Sequence, residues 1–444
     1  MEFTREGSAG KEILMFRDNS RIESGWMPRF FIIWTGQAFS LLGSSLVQFA
    51  LVWWMTEKTG SATVLSTATM MALLPQIVLG TFIGPLIDRL DRKRIMIIAD
   101  LSIALATGVL MALFMMGSVE VWHVFAIMAF RSLGGAFHSP AMTSSTSLLV
   151  PSKHLTRVNG INQSLHGAIN ILSPPLGALL IMLMPTQGIL AIDLVTAIMG
   201  IVPLLFFSIP KPVRTTEEGH HDSVLRTYFA DLKAGLAYVA KWKGLLYLIF
   251  LAMLINFLLA PAGSLMPILV TKDFGLGAMQ LALLETLVGI GVISGGLLLS
   301  AWGGFKRKIM TSLAGIIGVG VSITLIGLIP ASGFWMVLAA SFVLGVSQVL
   351  TNGPLHAIMQ AGVMQDMQGR VFSLLQAGAT AMMPLSLLAA GPTADVFGTR
   401  IWFIGAGALC VLAALAATAI PEIMKIETYN KKGTDLVTEK DSSE

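Results

Sequence analysis

"GPLIDRLDRKR", residues Gly84 to Arg94, sets two aspartates and four basic residues between two apolar runs, in a chain that is 12% charged and 55% hydrophobic. The mean hydropathy of +0.77 is far above that of a soluble domain, whose surface has to be solvated. The charged stretch therefore reads as a cytosolic break between two membrane spans. A hydrocarbon core about 30 Å thick takes roughly 20 apolar residues per helix. Charged or Pro/Gly breaks divide the chain into twelve such runs, near 30–55, 63–87, 95–116, 121–146, 158–184, 188–209, 244–271, 278–301, 309–329, 333–358, 371–396 and 400–420. The class expected is an all-α membrane protein.

Lysine and arginine orient the spans, because basic loops resist translocation. They cluster in the segment before residue 30, in the opening stretch (Arg89, Arg92, Lys93, Arg94), at Lys153 and Arg157, between Lys211 and Lys243, at Lys306 to Lys308, at Arg370 and after residue 420. The opposite side holds Lys58, Lys272 and Arg400, and Arg131 falls inside a span. Both termini are expected in the cytoplasm. The polar residues 1–29 lack the short apolar core of a signal peptide and read as a tail. The net charge of +4 follows from this asymmetry, so it points to the inner leaflet and not to nucleic acid. The single cysteine, Cys410, offers neither a disulfide nor a thiolate metal site, and no cofactor is expected.

The longest internal polar break, 210–243, has six spans on each side. Pro140 precedes "RVNGINQ" (Arg157 to Gln163) much as Pro354 precedes "RVFSLLQ" (Arg370 to Gln376), an echo that suggests duplication. The expected organisation is a tail (1–29), an N-terminal six-helix bundle (30–209), a linker with an amphipathic helix (210–243), a C-terminal six-helix bundle (244–420) and a second tail (421–444). Paired six-helix bundles with a mid-membrane site between them are a recurring transporter architecture.

Within the opening stretch, Asp88 closes one helix four residues after Gly84, and Arg89, Arg92 and Lys93 follow. A carboxylate at a membrane boundary can pair with such bases and accept hydrogen bonds from a neighbouring helix N-terminus, making a latch. These residues resemble the major facilitator superfamily signature between helices two and three: Gly84, Leu86, Asp88, Arg89, Arg92 and Lys93 match it, while Asp91 replaces its second glycine. The turn there must then be shaped differently. "RSLGGAFHSP" (Arg131 to Pro140) is similar to the fourth-helix signature, and "SPPLGA" (Ser173 to Ala178) matches the fifth-helix antiporter signature in part. The second-half loop keeps Lys306 to Lys308 without an aspartate. "IWTGQAFSLLGSSLVQ", "MTEKTGSATVLS", "LLVPSKHLT", "AIDLV" and "GRVFSL" extend the resemblance to the macrolide-efflux branch. The resemblance implies a bacterial inner-membrane exporter of hydrophobic drugs, a monomer, working by proton antiport through rocking of two bundles. Siderophore or lysophospholipid transport on the same fold is the alternative, and a membrane-embedded enzyme lacks any catalytic constellation.

Charge inside a span is costly and so marks candidates. Arg131 corresponds to the arginine that the family resemblance ties to proton coupling. Glu285 lies deep enough in "GAMQLALLETLVGIGVISGG" to exchange a proton or meet a cationic drug. Asp193 reads as a helix cap or packing residue near the outer boundary, and Asp100 as part of the loop's ion network. Gln37, Ser40, Ser44 and Gln48 share one helical face, and with Asn256 and Glu285 this face is expected to line the substrate cavity. The stripe Asn162, His166, Asn170 and Ser173 suits either a cavity or helix packing.

Overall fold

A computed structural model describes residues 25–209 and 224–427, except for the side chains at 81, 82, 84–86, 88, 89 and 224–232. Among the described residues there is no β-strand. The helices, in chain order, are α1 (Trp26–Thr59), α2 (Ala62–Arg89), α3 (Arg92–Met115), α4 (Val121–Leu149), α5 (Leu155–Leu183), α6 (Thr186–Phe206), α7 (Val224–Lys241), α8 (Lys243–Ile268), α9 (Ala278–Trp302), α10 (Lys308–Leu328), α11 (Phe334–Gly362), α12 (Gln365–Phe397), α13 (Thr399–Thr418) and the short α14 (Pro421–Met424). Among the described residues eleven helices are long and apolar enough to cross a membrane. Of the twelve expected spans, the one outside this group is α4: its 29 residues include Arg131, His138 and a Ser/Thr-rich end, polarity that needs partners inside the bundle. Large apolar side chains stand exposed on many of these helices, among them Ile98, Leu105, Met182, Leu297 and Leu388. In lipid such exposure costs nothing, whereas water would penalise it.

At one end or both, α1, α4, α11 and α12 run about a turn past the apolar windows read from sequence, because helical hydrogen bonding continues into the polar interface, whereas α6, α8 and α13 stop short of theirs. Their ends are chemically specified. Asp91 has φ −75° and ψ 107°, and its carboxylate accepts from the backbone N–H of Lys93 and Arg94. The aspartate that displaces the signature glycine is thus the N-cap of α3, which is how this loop turns without a left-handed residue. Gly303 (φ +76°) ends α9 and Gly398 (φ +88°) separates α12 from α13, positions where a side chain would be strained.

The described residues group into two units: 25–48, 78–173 and 182–209 in the first, and 49–77, 174–181 and 224–427 in the second. The first unit packs α3 against α4 and α6 around Phe30, Ile33, Ile87, Met96, Ala136 and Leu204. In the second, α10 lies between α11 and α13 and is the most enclosed of the apolar helices. Gly320 and Gly407 let α10 and α13 touch: a Cβ on Gly320 would sit 2.7 Å from the Gly407 carbonyl oxygen. The linker helix α7 belongs to this unit, where Val239 joins the core and Met364 N–H donates to the Tyr238 hydroxyl at 3.5 Å. The second unit also contains the first turns of α2. The Asp395 carboxylate on α12 accepts from the Ser61 hydroxyl at 2.9 Å and from the backbone N–H of Ala62 and Thr63 at 2.7 and 3.0 Å.

Candidate functional site

The first unit buries two polar layers inside a four-helix packing of α1, α3, α4 and α6. One is centred on Arg131. Its Nη1 lies 2.6 Å from Asp193 Oδ2 and also donates to the Thr107 hydroxyl. That hydroxyl donates to Asp193 Oδ2 at 3.1 Å and Ser44 donates to Oδ1 at 3.2 Å. Both oxygens of the carboxylate are therefore occupied, and a charge that would be prohibitive alone in hydrocarbon is matched by a guanidinium and two hydroxyls. Gly43 makes this approach of α1 to α6 possible: a Cβ there would lie 2.0 Å from Thr196 Oγ1.

The second layer is centred on Asp100. The Gln37 side-chain amide donates to Asp100 Oδ2 at 3.0 Å and to the Gly200 carbonyl at 3.2 Å. His138 Nε2 lies 3.3 Å from Asp100 Oδ1, too poorly aligned to make a hydrogen bond. Exposure is 2% for Gln37, 5% for Asp100 and 7% for His138, so these groups have left bulk solvent. On each of the four helices the residues of the two layers are seven positions apart: Gln37 and Ser44, Asp100 and Thr107, Arg131 and His138, Asp193 and Gly200. Seven residues are two helical turns, so the layers are stacked about 10 Å apart.

The Asp100 layer borders a cavity. A space of about 490 Å³ in the first unit is lined by Gln37 and His138 together with Trp34, Thr146, Asn162 and His166. Trp34 Nε1 donates to Asn162 Oδ1 at 2.7 Å, tying α1 to α5 across its wall. Gln37 Oε1 is buried without a hydrogen-bond partner. In the second unit Asn256 lines a cavity of about 370 Å³ with Gln348, Thr351 and Asn352, and its own amide donates to the Ala252 carbonyl at 2.9 Å.

The sequence-predicted residues are thus distributed unevenly. Gln37 and Asn256 line cavities in separate units, and Ser44 is engaged by Asp193. Gln48 is exposed on α1, and Glu285 is exposed on α9. Gly84 and the side chains of Asp88 and Arg89 lie outside the described residues. Lys93 Nζ donates to the Leu205 carbonyl at 3.2 Å, tying this loop to the end of α6, and Arg92 is part-buried beside it. Of the two roles read for Asp193, the cap is corrected: it sits inside the helix and packs there, paired with Arg131. Asp100, among the described residues, faces Gln37 and His138. His138 and Thr107 were not singled out as partners; their shared spacing of seven was visible in the sequence, but which helices are neighbours was not.

The apolar helices and the buried charges matched inside them define a multi-pass membrane protein. The Major Facilitator Superfamily profile matches residues 33–384, and the chain belongs to that superfamily. It is 35% identical to Macrolide efflux protein A of Streptococcus pyogenes, over 91% of this chain and 98% of that one. It is 26% identical to the multidrug efflux pump Tap of Mycolicibacterium fortuitum, over 88% of this chain and 95% of that one. Among solved structures it resembles a POT family transporter in complex with 5-aminolevulinic acid, with TM-score 0.65, 15% identity and coverage of 90% and 97%. The nucleoside transporter NupG is similarly alike, with TM-score 0.65, 12% identity and coverage of 86% and 99%. These last two likenesses concern the fold.

Proposed function

We propose that this protein exports hydrophobic, macrolide-like drugs from the bacterial cytoplasm by proton antiport, with two six-helix bundles alternating the access of a shared site. The observation that carries the reading is the 35% identity to Macrolide efflux protein A along almost the whole of both chains. Twelve spans with both termini cytoplasmic complete the topology, α4 serving as the span whose polarity is matched by partners within the bundle. Gly84, Asp88, Arg89, Arg92 and Lys93 form the cytosolic latch, Arg131 and Glu285 take part in coupling, and Gln37, Ser44, Gln48 and Asn256 face the transport path. The exporter works as a monomer with protons as its co-substrate. An energetic argument supports coupling through the interior: buried ions are costly in lipid and so mark proton or substrate pathways.

The test is uptake of erythromycin into inverted membrane vesicles, with wild type beside Arg131→Ala and Glu285→Gln. Wild-type uptake is expected to collapse on adding a protonophore, and Arg131→Ala to abolish the gradient-driven part. Uptake that ignores the protonophore would remove the antiport reading. Undiminished coupled uptake in both variants would remove these two residues from it.

A further inference from the structure

The two stacked layers differ in what they can do with a proton. A guanidinium is not a proton carrier at biological pH, and Asp193 has both oxygens filled by that of Arg131, by Thr107 and by Ser44. That layer lines no cavity described above and its charges balance, so Arg131 serves coupling by holding the helices in place and not by carrying the proton. The other layer has a carboxylate whose aligned donor, among the described residues, is the neutral Gln37 amide, facing an imidazole at 3.3 Å. Imidazole is the side chain that ordinarily changes charge between pH 5 and 8. His138 also borders the 490 Å³ cavity, so a proton has a path to it. Gln37, which borders the same cavity, has its Oε1 buried without a hydrogen-bond partner.

We infer that Asp100 and His138 form the proton-binding site that exchanges with a cationic substrate, and that the Arg131–Asp193 pair positions the helices around it; this rests on the antiport reading above. With the imidazole neutral, the layer carries one net negative charge and stabilises an amphiphilic amine in the cavity. When the imidazole takes a proton from cavity water, the layer becomes neutral and the amine loses its counter-charge. The amine leaves as the proton enters, and the reverse step returns the proton to cavity water. No other bond changes. Among the described residues, the groups facing the pair are the Gln37 amide from α1, the Gly200 carbonyl from α6 and, across the cavity, Asn162 and His166 from α5. Arg131 and Asp193 stand two turns away. Raising the pH removes the imidazole proton, so amine binding tightens as pH rises.

The experiment is calorimetric titration of the purified full-length protein in detergent with erythromycin, which carries a tertiary amine, and with the permanent cation tetraphenylphosphonium. Buffers of differing ionisation enthalpy report the protons released. Wild type is expected to release about one proton per cation bound. His138→Gln should still bind with that release lost, and Asp100→Asn should bind at least about tenfold more weakly. Release unchanged in His138→Gln overturns the assignment. If that variant does not fold, wild type labelled with 15N-histidine carries the same test: one imidazole must pass from cationic to neutral on saturation, and none doing so overturns it. Failure of the two readings is distinguishable. Export by wild type that ignores a protonophore while binding still releases a proton faults antiport alone. Coupled export with release intact in His138→Gln faults only this site.

Discussion

Replacing Asp193 with asparagine keeps the shape of the residue and removes its charge, leaving the Arg131 guanidinium without the oxygen that stands 2.6 Å from it. The two side chains are 11% and 3% exposed, so water can do little to compensate. Removing one member of a buried ion pair costs about 3 to 5 kcal/mol, whereas replacing both by apolar groups of similar size is often neutral. An ordinary hydrogen bond between membrane helices contributes only about 0.6 kcal/mol, so the two cases are separable. At roughly 2 to 4 °C per kcal/mol for a domain of this size, Asp193→Asn should lower the thermal unfolding midpoint of the detergent-purified protein by on the order of 10 °C. Adding Arg131→Met to Asp193→Leu should restore most of that loss. Scanning fluorimetry of wild type, the single variant and the double variant reads the difference directly. A drop of only a degree or two in Asp193→Asn, or a double variant no better than the single, would refute the claim that this layer is held by matched buried charge.

Two further outcomes test the packing. Gly43→Val would put its branch into Thr196 and within about the 3.2 Å that separates a Cβ there from Asp193 Oδ1; overpacking costs about 1 to 3 kcal/mol. Its unfolding midpoint should fall more than that of Gly43→Ala, and a valine variant as stable as wild type would show that α1 and α6 are not in close contact. Asp395→Ala removes three hydrogen bonds from the start of α2, a loss of about 1 kcal/mol for a helix cap. Ser66 is buried against Gly391, so with Ser66→Cys in a Cys410→Ser background a maleimide should react about fivefold faster once Asp395 is gone. Equal labelling rates would mean the cap does not hold α2 to α12.

The identity of Asp395's partner shows where sequence reading stopped. A carboxylate accepting from a foreign helix N-terminus was anticipated for Asp88 on the basic side of the chain, whereas the described example joins Asp395 to Ser61, Ala62 and Thr63. A similar contact joins Glu427 to Ile309 N–H at 2.8 Å, in the half whose loop lacks the aspartate. Neither pairing leaves a mark in local sequence, because donor and acceptor are separated by more than a hundred residues.

Membrane residence, the helical class and the breaks between spans follow from the sequence alone, because the bilayer obliges every span to be a long apolar helix that satisfies its own backbone. The unusual turn at Asp91 was likewise local, a side chain reaching N–H groups two and three residues ahead. What tertiary structure decided was the meaning of the few interior charges. Arg131 was conspicuous by itself, but Asp193 and Asp100 acquire their roles from α1, α3, α4 and α6 meeting at small residues such as Gly43 and Gly200. Periodicity reports which face of a helix a residue occupies; only packing determines which other helix that face meets.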